Sequence, residues 1–228
     1  MAINRCFHFS ALWPEVEDLA ELGLAAIAML PSHSYVAPAG GSKAVFGANP
    51  FAFAWPRGNE QPPYVFDFAT SAWARGEVEV HRRAGKLLPE GWAIDSTGQS
   101  TTDPIAALAG SLLPFGGHKG SALSTMIELL AGAMIGDFLS MDALDHAGTL
   151  DTAPRHGELI LAFNPTLFGD DDRAGQTERA ERLFAVITTQ GARLPAARRF
   201  AARAKNLARG AVTIPCKLRL ELQALKDA

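Results

Sequence analysis

Short apolar segments bounded by glycine or proline recur along this chain at uneven intervals, and that spacing constrains the fold most. Residues 24–30 form an apolar run between Gly23 and Pro31 and read as a buried strand. Residues 51–55 alternate large with small side chains, residues 64–68 and 158–163 are strand-like, and a short strand is expected at 35–37. Helices are expected over 12–23, where Pro14 suits the first turn and Gly23 the stop. The strongest helical pattern is 121–136, with Leu123, Met126, Ile127, Leu130 and Met134 on one face. Further helices are expected over 176–189, 195–207 and 217–225. Residues 69–80 favour helix, 85–89 a turn and short strand, and 91–104 a loop with turns at Asp95-Ser96 and Thr97-Gly98. Strands spaced so unevenly exclude a simple βαβ array and leave a mixed α/β or α+β chain.

Composition narrows the function classes. The chain has 228 residues, 48% hydrophobic and 20% charged, enough to bury a core as one large or two small domains. A net charge of −3 gives no electrostatic reason to expect nucleic acid or an anionic membrane as partner. The most apolar window, 121–135, is interrupted by Glu128 and is too short to span a bilayer. No positive region followed by an unbroken apolar stretch opens the chain, so no secretory signal is expected. Cys6 and Cys216 are far apart and belong to no C-x-x-C pair, which argues against a zinc finger, a redox dithiol or a disulfide framework. The expected compartment is the reducing cytoplasm.

Several familiar sites are excluded by spacing. No two glycines stand two apart, so the G-x-G-x-x-G of a Rossmann dinucleotide site is absent. Lys119 follows His118 and precedes Gly120, which does not fit a P-loop. H-E-x-x-H and G-x-S-x-G are missing, and the histidines lack metal-ligand spacing, so no metal is expected.

What remains is a set of glycine-rich and charged segments. Leu112-Leu113-Pro114-Phe115-Gly116-Gly117-His118-Lys119-Gly120 precedes the strongest helix. Helix-start N–H groups, a lysine and glycines suit a phosphate or anionic substrate. The alternative is a glycine-rich turn with a solvated His118 and Lys119. Asp67 closes an apolar run; a cap for the following segment is the simpler reading, and a carboxylate orienting a His or binding a sugar hydroxyl is the functional one. Phe46-Gly47-Ala48-Asn49-Pro50 reads as a tight turn in which Gly47 takes a positive φ. Arg193 opens the basic helix and either grips a phosphate or is an ordinary surface cation. His8, between Phe7 and Phe9, reads as a packing residue.

Taken together and in order, these segments resemble one family. Phe46-Gly47-Ala48-Asn49-Pro50 with Ala52-Phe53 is similar to its G-T-N-P-x-A-F, and Phe66-Asp67-Phe68-Ala69-Thr70-Ser71 to its F-D-M-A-T-S, extended by Ala74-Arg75-Gly76. Leu88-Pro89-Glu90-Gly91-Trp92-Ala93-Ile94-Asp95 and Thr102-Asp103-Pro104 are similar to P-E-G-W-A-x-D and T-D-P, and residues 113–120 to L-P-x-G-G-H-K-G. Arg193-Leu194-Pro195 and Val212-Thr213-Ile214-Pro215 resemble its R-L-P-G-x-R and late V-x-I-P. The family is the non-Rossmann malate/L-lactate dehydrogenase type. The segment from His8 to Pro14 resembles most the Δ1-piperideine-2-carboxylate/Δ1-pyrroline-2-carboxylate reductase branch.

The resemblance implies an α/β fold with a mixed, largely antiparallel sheet and flanking helices that binds NADPH or NADH without a Rossmann motif. It implies hydride transfer to C2 of a 2-oxo acid or cyclic 2-imino acid, a homodimer, and no nucleic-acid or membrane partner. The implied cofactor contacts are His8, Phe9, Ser10, Ala11, Leu12, Asp67, Phe68, Ala69, Arg75, Gly76, His118, Lys119, Gly191, Ala192, Arg193, Leu194, Pro195 and Ala196. Ala48 falls at a substrate-contacting position that is Thr in the family, and Glu77 near a carboxylate that assists the catalytic His. The implied division is a cofactor-binding body, 1–208, and a C-terminal segment, 209–228. Family members carry about one hundred further N-terminal residues with a Ser-His pair and a carboxylate-binding Arg. The chain is therefore expected to lack an N-terminal third, and the alternative is a truncated, inactive nucleotide-binding remnant.

Overall fold

The apolar runs assemble into one five-stranded sheet in the computed structural model, which describes residues 1–8, 10–58, 61–169 and 172–226, with Lys217 described by its backbone alone. The strands are β1 (Ala2–Cys6), β2 (Ala25–Met29), β3 (Phe51–Trp55), β4 (Tyr64–Phe68) and β8 (His156–Phe163), in the order β1-β8-β2-β3-β4. Every neighbouring pair is antiparallel. Between β2 and β3 the register sets Ala26 opposite Ala54 and Ala28 opposite Ala52. These alanines and Val65 are fully buried, and small side chains let helix α1 (Trp13–Glu21) lie close over that face with Val16 and Ala20 inward. The opposite face carries Phe51, Phe53, Tyr64, Phe66 and Phe68 in a cross-strand aromatic ladder, with Phe53 and Phe66 centroids 5.6 Å apart. Met29 and Leu159 on that side pack with Ile127 and Ala131 from helix α4 (His118–Glu128) and the π-helical turn Leu129–Ala133 that follows it.

A second layer is a three-stranded antiparallel sheet, β6-β5-β7, built from β5 (Ala93–Ile94), β6 (Ser100–Thr101) and β7 (Ser111–Leu112). Helices α2 (Arg75–Arg83) and α3 (Pro104–Ala109) pack with it. Val36, Phe46, Val78, Leu88, Ala93, Ala107 and Leu112 form its core. Asp103 caps α3 by accepting from the N–H groups of Ile105 and Ala106. Helix α5 (Ser140–Ala147) and the start of α6 (Arg173–Thr189) complete the first compact unit, residues 1–181. The second, 182–228, holds the rest of α6 and helices α7 (Ala197–Arg209) and α8 (Cys216–Lys226). In α7 the guanidinium groups of Arg199 and Arg203 lie 4.6 and 5.6 Å from the Phe200 ring centre. No helix among the described residues is long and apolar enough to cross a membrane.

Most expected elements form, and the departures have local causes. Residues 91–104 hold the β5–β6 hairpin rather than a loop. Asp95 closes it by accepting from the Thr97 and Gln99 N–H groups, at the place where turn residues were read. Helix α2 begins at Arg75 rather than 69, because 70–72 are strapped to neighbouring segments: Thr70 N–H donates to Ala48 O, Ser71 bridges Pro114 and Ala72 N–H donates to Leu113 O. Helix α4 begins already at His118. Strand β1, with Asn4 and Arg5 inside it, has no apolar pattern of its own and is defined by its pairing with β8.

The loop before β3 is held from inside. Asn49 and Ser140 are fully buried and Glu128 nearly so. Asn49 Nδ2 donates to Glu128 Oε1 at 2.7 Å, the Ser140 N–H donates to Glu128 Oε2 at 2.9 Å, and Ser140 Oγ donates to Glu128 Oε1 at 2.5 Å. Ser140 Oγ also accepts from the N–H groups of Ser32 and Gly47. The positive φ sits on Asn49, at 40°, and not on Gly47 as the sequence led us to expect; Asn tolerates that region better than most residues. Gly47 is required for space, since a Cβ there would lie 2.6 Å from Ser32 Cβ and 2.9 Å from His33 O. Replacing Asn49 with Ala leaves a buried carboxylate oxygen short of a donor and strains the backbone. Asn49→Ala should cost about 3 kcal/mol in urea unfolding, whereas a site held by packing alone would lose far less.

Candidate functional site

The site is built around three short segments that other elements pin in place. Ala48 is fixed by its carbonyl, which accepts from both the N–H and the Oγ1 of Thr70, at 2.8 and 2.9 Å. Thr70 Oγ1 in turn accepts from Ser124 Oγ on α4. The segment before α1 is fixed by Asp67: its Oδ2 accepts from the N–H groups of Leu12 and Trp13 at 2.7 and 3.0 Å. The capping chemistry read from Asp67 is therefore present, but on α1 and not on the helix that follows it in sequence. The third segment is the start of α2, where Ala74 provides no side-chain cap.

These segments meet at a cavity of about 850 Å³. Of the residues singled out by resemblance, His8, Ser10, Ala48, Arg75 and Gly76 line it. Arg82 and Arg83 add positive charge, balanced in part by Glu79, which takes a bidentate pair from Arg82 and a further bond from Arg83. Those bonds hold the Glu79 carboxyl down, at about 2. The Arg75 guanidinium lies 5.7 Å from the Tyr35 ring centre, and burial pushes the Tyr35 hydroxyl up to about 12. With Asp151 also on the wall, three arginines face two carboxylates.

The other predicted residues lie elsewhere. Leu12 is fully buried under α1, Ala11 is exposed, and Phe68 stands edge-on to Phe115 at 5.7 Å. Ala69 is half-buried between Phe68 and Thr70, and Phe9 lies outside the described residues. Glu77, exposed on the first turn of α2, is not among the residues lining the cavity. His118 and Lys119 are exposed and are the first two residues of α4. Beside them Gly116 and Gly117, with φ of 57° and 60°, border a separate hollow of about 500 Å³. Gly120 admits no side chain, because a Cβ would lie on Phe115 O. Gly191, Ala192, Arg193, Leu194, Pro195 and Ala196 belong to the second unit, where Arg193, Leu194, Pro195 and Ala196 border a hollow of about 390 Å³.

Sequence reading missed the titratable cluster behind His8. His8 Nδ1 lies 3.0 Å from Glu158 Oε2, and its Nε2 lies 3.6 Å from Glu15 Oε1. Burial alone would lower the His8 imidazole, but the Glu158 hydrogen bond and the charges of Glu158 and Glu15 outweigh it and raise it. Burial pushes the Glu15 carboxyl up. Burial pushes His156 down; its Nε2 lies 3.3 Å from His8 O. His33, also on the cavity wall, is pushed down by burial and by His156. The one available signal was Glu158, a carboxylate inside an otherwise apolar strand.

A largely antiparallel α/β sheet, a cationic cavity at loop and helix starts, and no glycine fingerprint together define a non-Rossmann class of α/β protein. Residues 1–223 match the model of the malate/L-lactate dehydrogenase family, and the chain belongs to that family. It is 62% identical over 210 residues to a Δ1-pyrroline-2-carboxylate reductase of Agrobacterium fabrum, covering 92% of this chain and 61% of that protein. It is 60% identical over 225 residues to one of Pseudomonas fluorescens, covering 99% and 66%. The chain thus spans less than two thirds of the length of these relatives. Among solved structures, a Δ1-piperideine-2-carboxylate reductase from Pseudomonas syringae pvar. tomato superposes with a TM-score of 0.88 at 41% identity, over 99% of this chain and 66% of that one.

The long-range cap yields a direct test. Asp67→Asn keeps an acceptor but removes the charge at the start of α1, and should cost about 1 kcal/mol in urea unfolding. An unchanged midpoint would mean that the carboxylate does not hold that helix.

Proposed function

We propose that this chain carries the NAD(P)H-binding body of an oxidoreductase that delivers hydride to C2 of a cyclic 2-imino acid such as Δ1-pyrroline-2-carboxylate, or of a 2-oxo acid. The observation that carries the reading is the single cavity lined by His8, Ser10, Ala48, Arg75 and Gly76. The names of the similar reductases point to the same substrate class.

The residues present fit a dinucleotide. The cavity's excess of arginine suits phosphate, α2 opens on it without a side-chain cap, and a Cβ at Gly76 would meet nothing within 4 Å, so backbone N–H groups are approachable. A reduced nicotinamide, when bound, supplies the hydride. The chain's own part is to bind and orient. Arg75 and the start of α2 hold negative charge, and Ala48 presents a methyl group where a hydroxyl would otherwise contact substrate. His8 and Ser10 border the same cavity. The same reading takes the protein as a homodimer of the cytoplasm, for which sedimentation velocity reads the assembly.

Titration of the chain with NADPH and NADH, followed by cofactor fluorescence, tests the reading. At least one should bind, and Arg75→Ala should weaken it about tenfold, the value of one lost charge-assisted contact. Failure of both nucleotides to bind the folded chain would overturn the proposal. Turnover of Δ1-pyrroline-2-carboxylate, read as loss of reduced-nicotinamide absorbance, would extend it to substrate.

A further inference from the structure

We propose that Glu158 and His8 form a carboxylate–imidazole dyad in which Glu158 is a positioning residue, fixing the ring so that its Nε2–H is offered to an acceptor atom of the ligand in the cavity, with Glu15 as the resting partner of that N–H. This deepens the reading of the site given above and rests on it for the identity of the ligand.

Glu158 is 4% exposed, in the second-from-edge strand β8, a place where a carboxylate is costly unless paired. Among the described residues its one hydrogen bond is Oε2 to His8 Nδ1, at 3.0 Å, and Oε1 is buried without a partner. The group is therefore committed to the imidazole. In the dyad the Glu158 oxygen accepts and Nδ1–H donates. On the other side of the ring, Nε2 stands 3.6 Å from Glu15 Oε1, which is ion-pair distance but too long for a good hydrogen bond. Glu15 Oε2 is likewise buried and without a partner. Of these three residues, only His8 lines the cavity. One nitrogen is anchored by Glu158, and the rest of the ring is held by Glu15 at 3.6 Å and by the Ala11 backbone, beside a space that suits an anionic ligand. This is the arrangement in which a buried carboxylate sets an imidazole's orientation and proton.

The groups facing the ring from each packed element agree. His156 on β8 and His33 after β2 are both pushed down by burial and do not compete as cations. The Cys6 thiol on β1, 3.8 Å from His156 Nδ1, is pushed up by burial and by Glu158 and stays neutral. Asp67 on β4 acts on Glu15, which it raises. The charges of Glu158 and Glu15 fall on His8, which is raised. A ligand that accepts from Nε2–H binds the protonated ring, so binding holds below the His8 midpoint and weakens as pH rises through it.

The test uses the full chain with ¹⁵N-labelled histidine, the His8 signals being assigned by their loss in His8→Gln. In the wild type both ring nitrogens should remain protonated above the ordinary midpoint of about 6.5. Glu158→Gln should lower that midpoint by about one pH unit. It should move the pH dependence of NADPH affinity down by the same amount and weaken binding at pH 7. Glu15→Gln removes the lesser of the two charges that raise the ring and should lower the midpoint by less than Glu158→Gln does. A wild-type ring that titrates at or below its ordinary range overturns the dyad without any variant. So does an unshifted midpoint in folded Glu158→Gln, or a larger fall in Glu15→Gln than in Glu158→Gln. If the wild type binds no nicotinamide cofactor, the reading of the ligand fails, and the ring titration still decides the dyad.

Discussion

A buried carboxylate, Glu128, governs the arrangement of the first unit. It stands where α4 gives way to a π-helical turn, and it collects donors from Asn49 and from the backbone and hydroxyl of Ser140. Ser140 passes the constraint on to Ser32 and Gly47. One charge out of water thereby joins the loop after β2, the loop before β3, and the starts of α5 and the π-helical turn. A buried polar network of this kind is tolerable only when its members are satisfied, and that requirement admits few alternative arrangements of the loops.

The same principle recurs at two further carboxylates. Asp67 reaches from β4 to the first N–H groups of α1, which sets the segment containing Ser10 against the sheet. Glu158 reaches from β8 to His8. The cavity wall thus combines helix α2 with loops, and the loops that bear His8, Ser10 and Ala48 are tied to strands or helices by hydrogen bonds to the carboxyl groups of Glu158, Asp67 and Glu128. Position then comes from rigid elements, while the loops carry His8, Ser10 and Ala48 on the cavity wall.

Much of the architecture was legible along the chain. Strands β2, β3 and β4 and helices α1, α7 and α8 lie within a few residues of the segments whose periodicity announced them. The elements that were not legible lack periodicity of their own. β1 holds Asn4 and Arg5, and β5, β6 and β7 are two residues each; all exist because a partner strand supplies their hydrogen bonds. For the site, the motifs marked His8, Ala48 and Arg75 as belonging together. Glu15 was invisible, since a lone glutamate in a helix carries no local signature, and Glu158 showed only as a carboxylate within an apolar strand, with nothing to name its partner. Glu77 was marked by its neighbourhood in a motif, but α2 leaves it exposed.

The sequence alone determined the family, the class of fold and some of the segments that line the cavity, those of His8 and Ser10, of Ala48, and of Arg75 and Gly76, because these depend on residue type and order: apolar runs of strand length, helical periodicity, and glycines at tight approaches. The tertiary structure alone decided the partners. Asp67 caps a helix 55 positions away, and Glu158 takes a histidine 150 positions away. Such pairings depend on which strands lie side by side, and strand order is set by the burial of whole faces, a property that no local stretch of sequence contains.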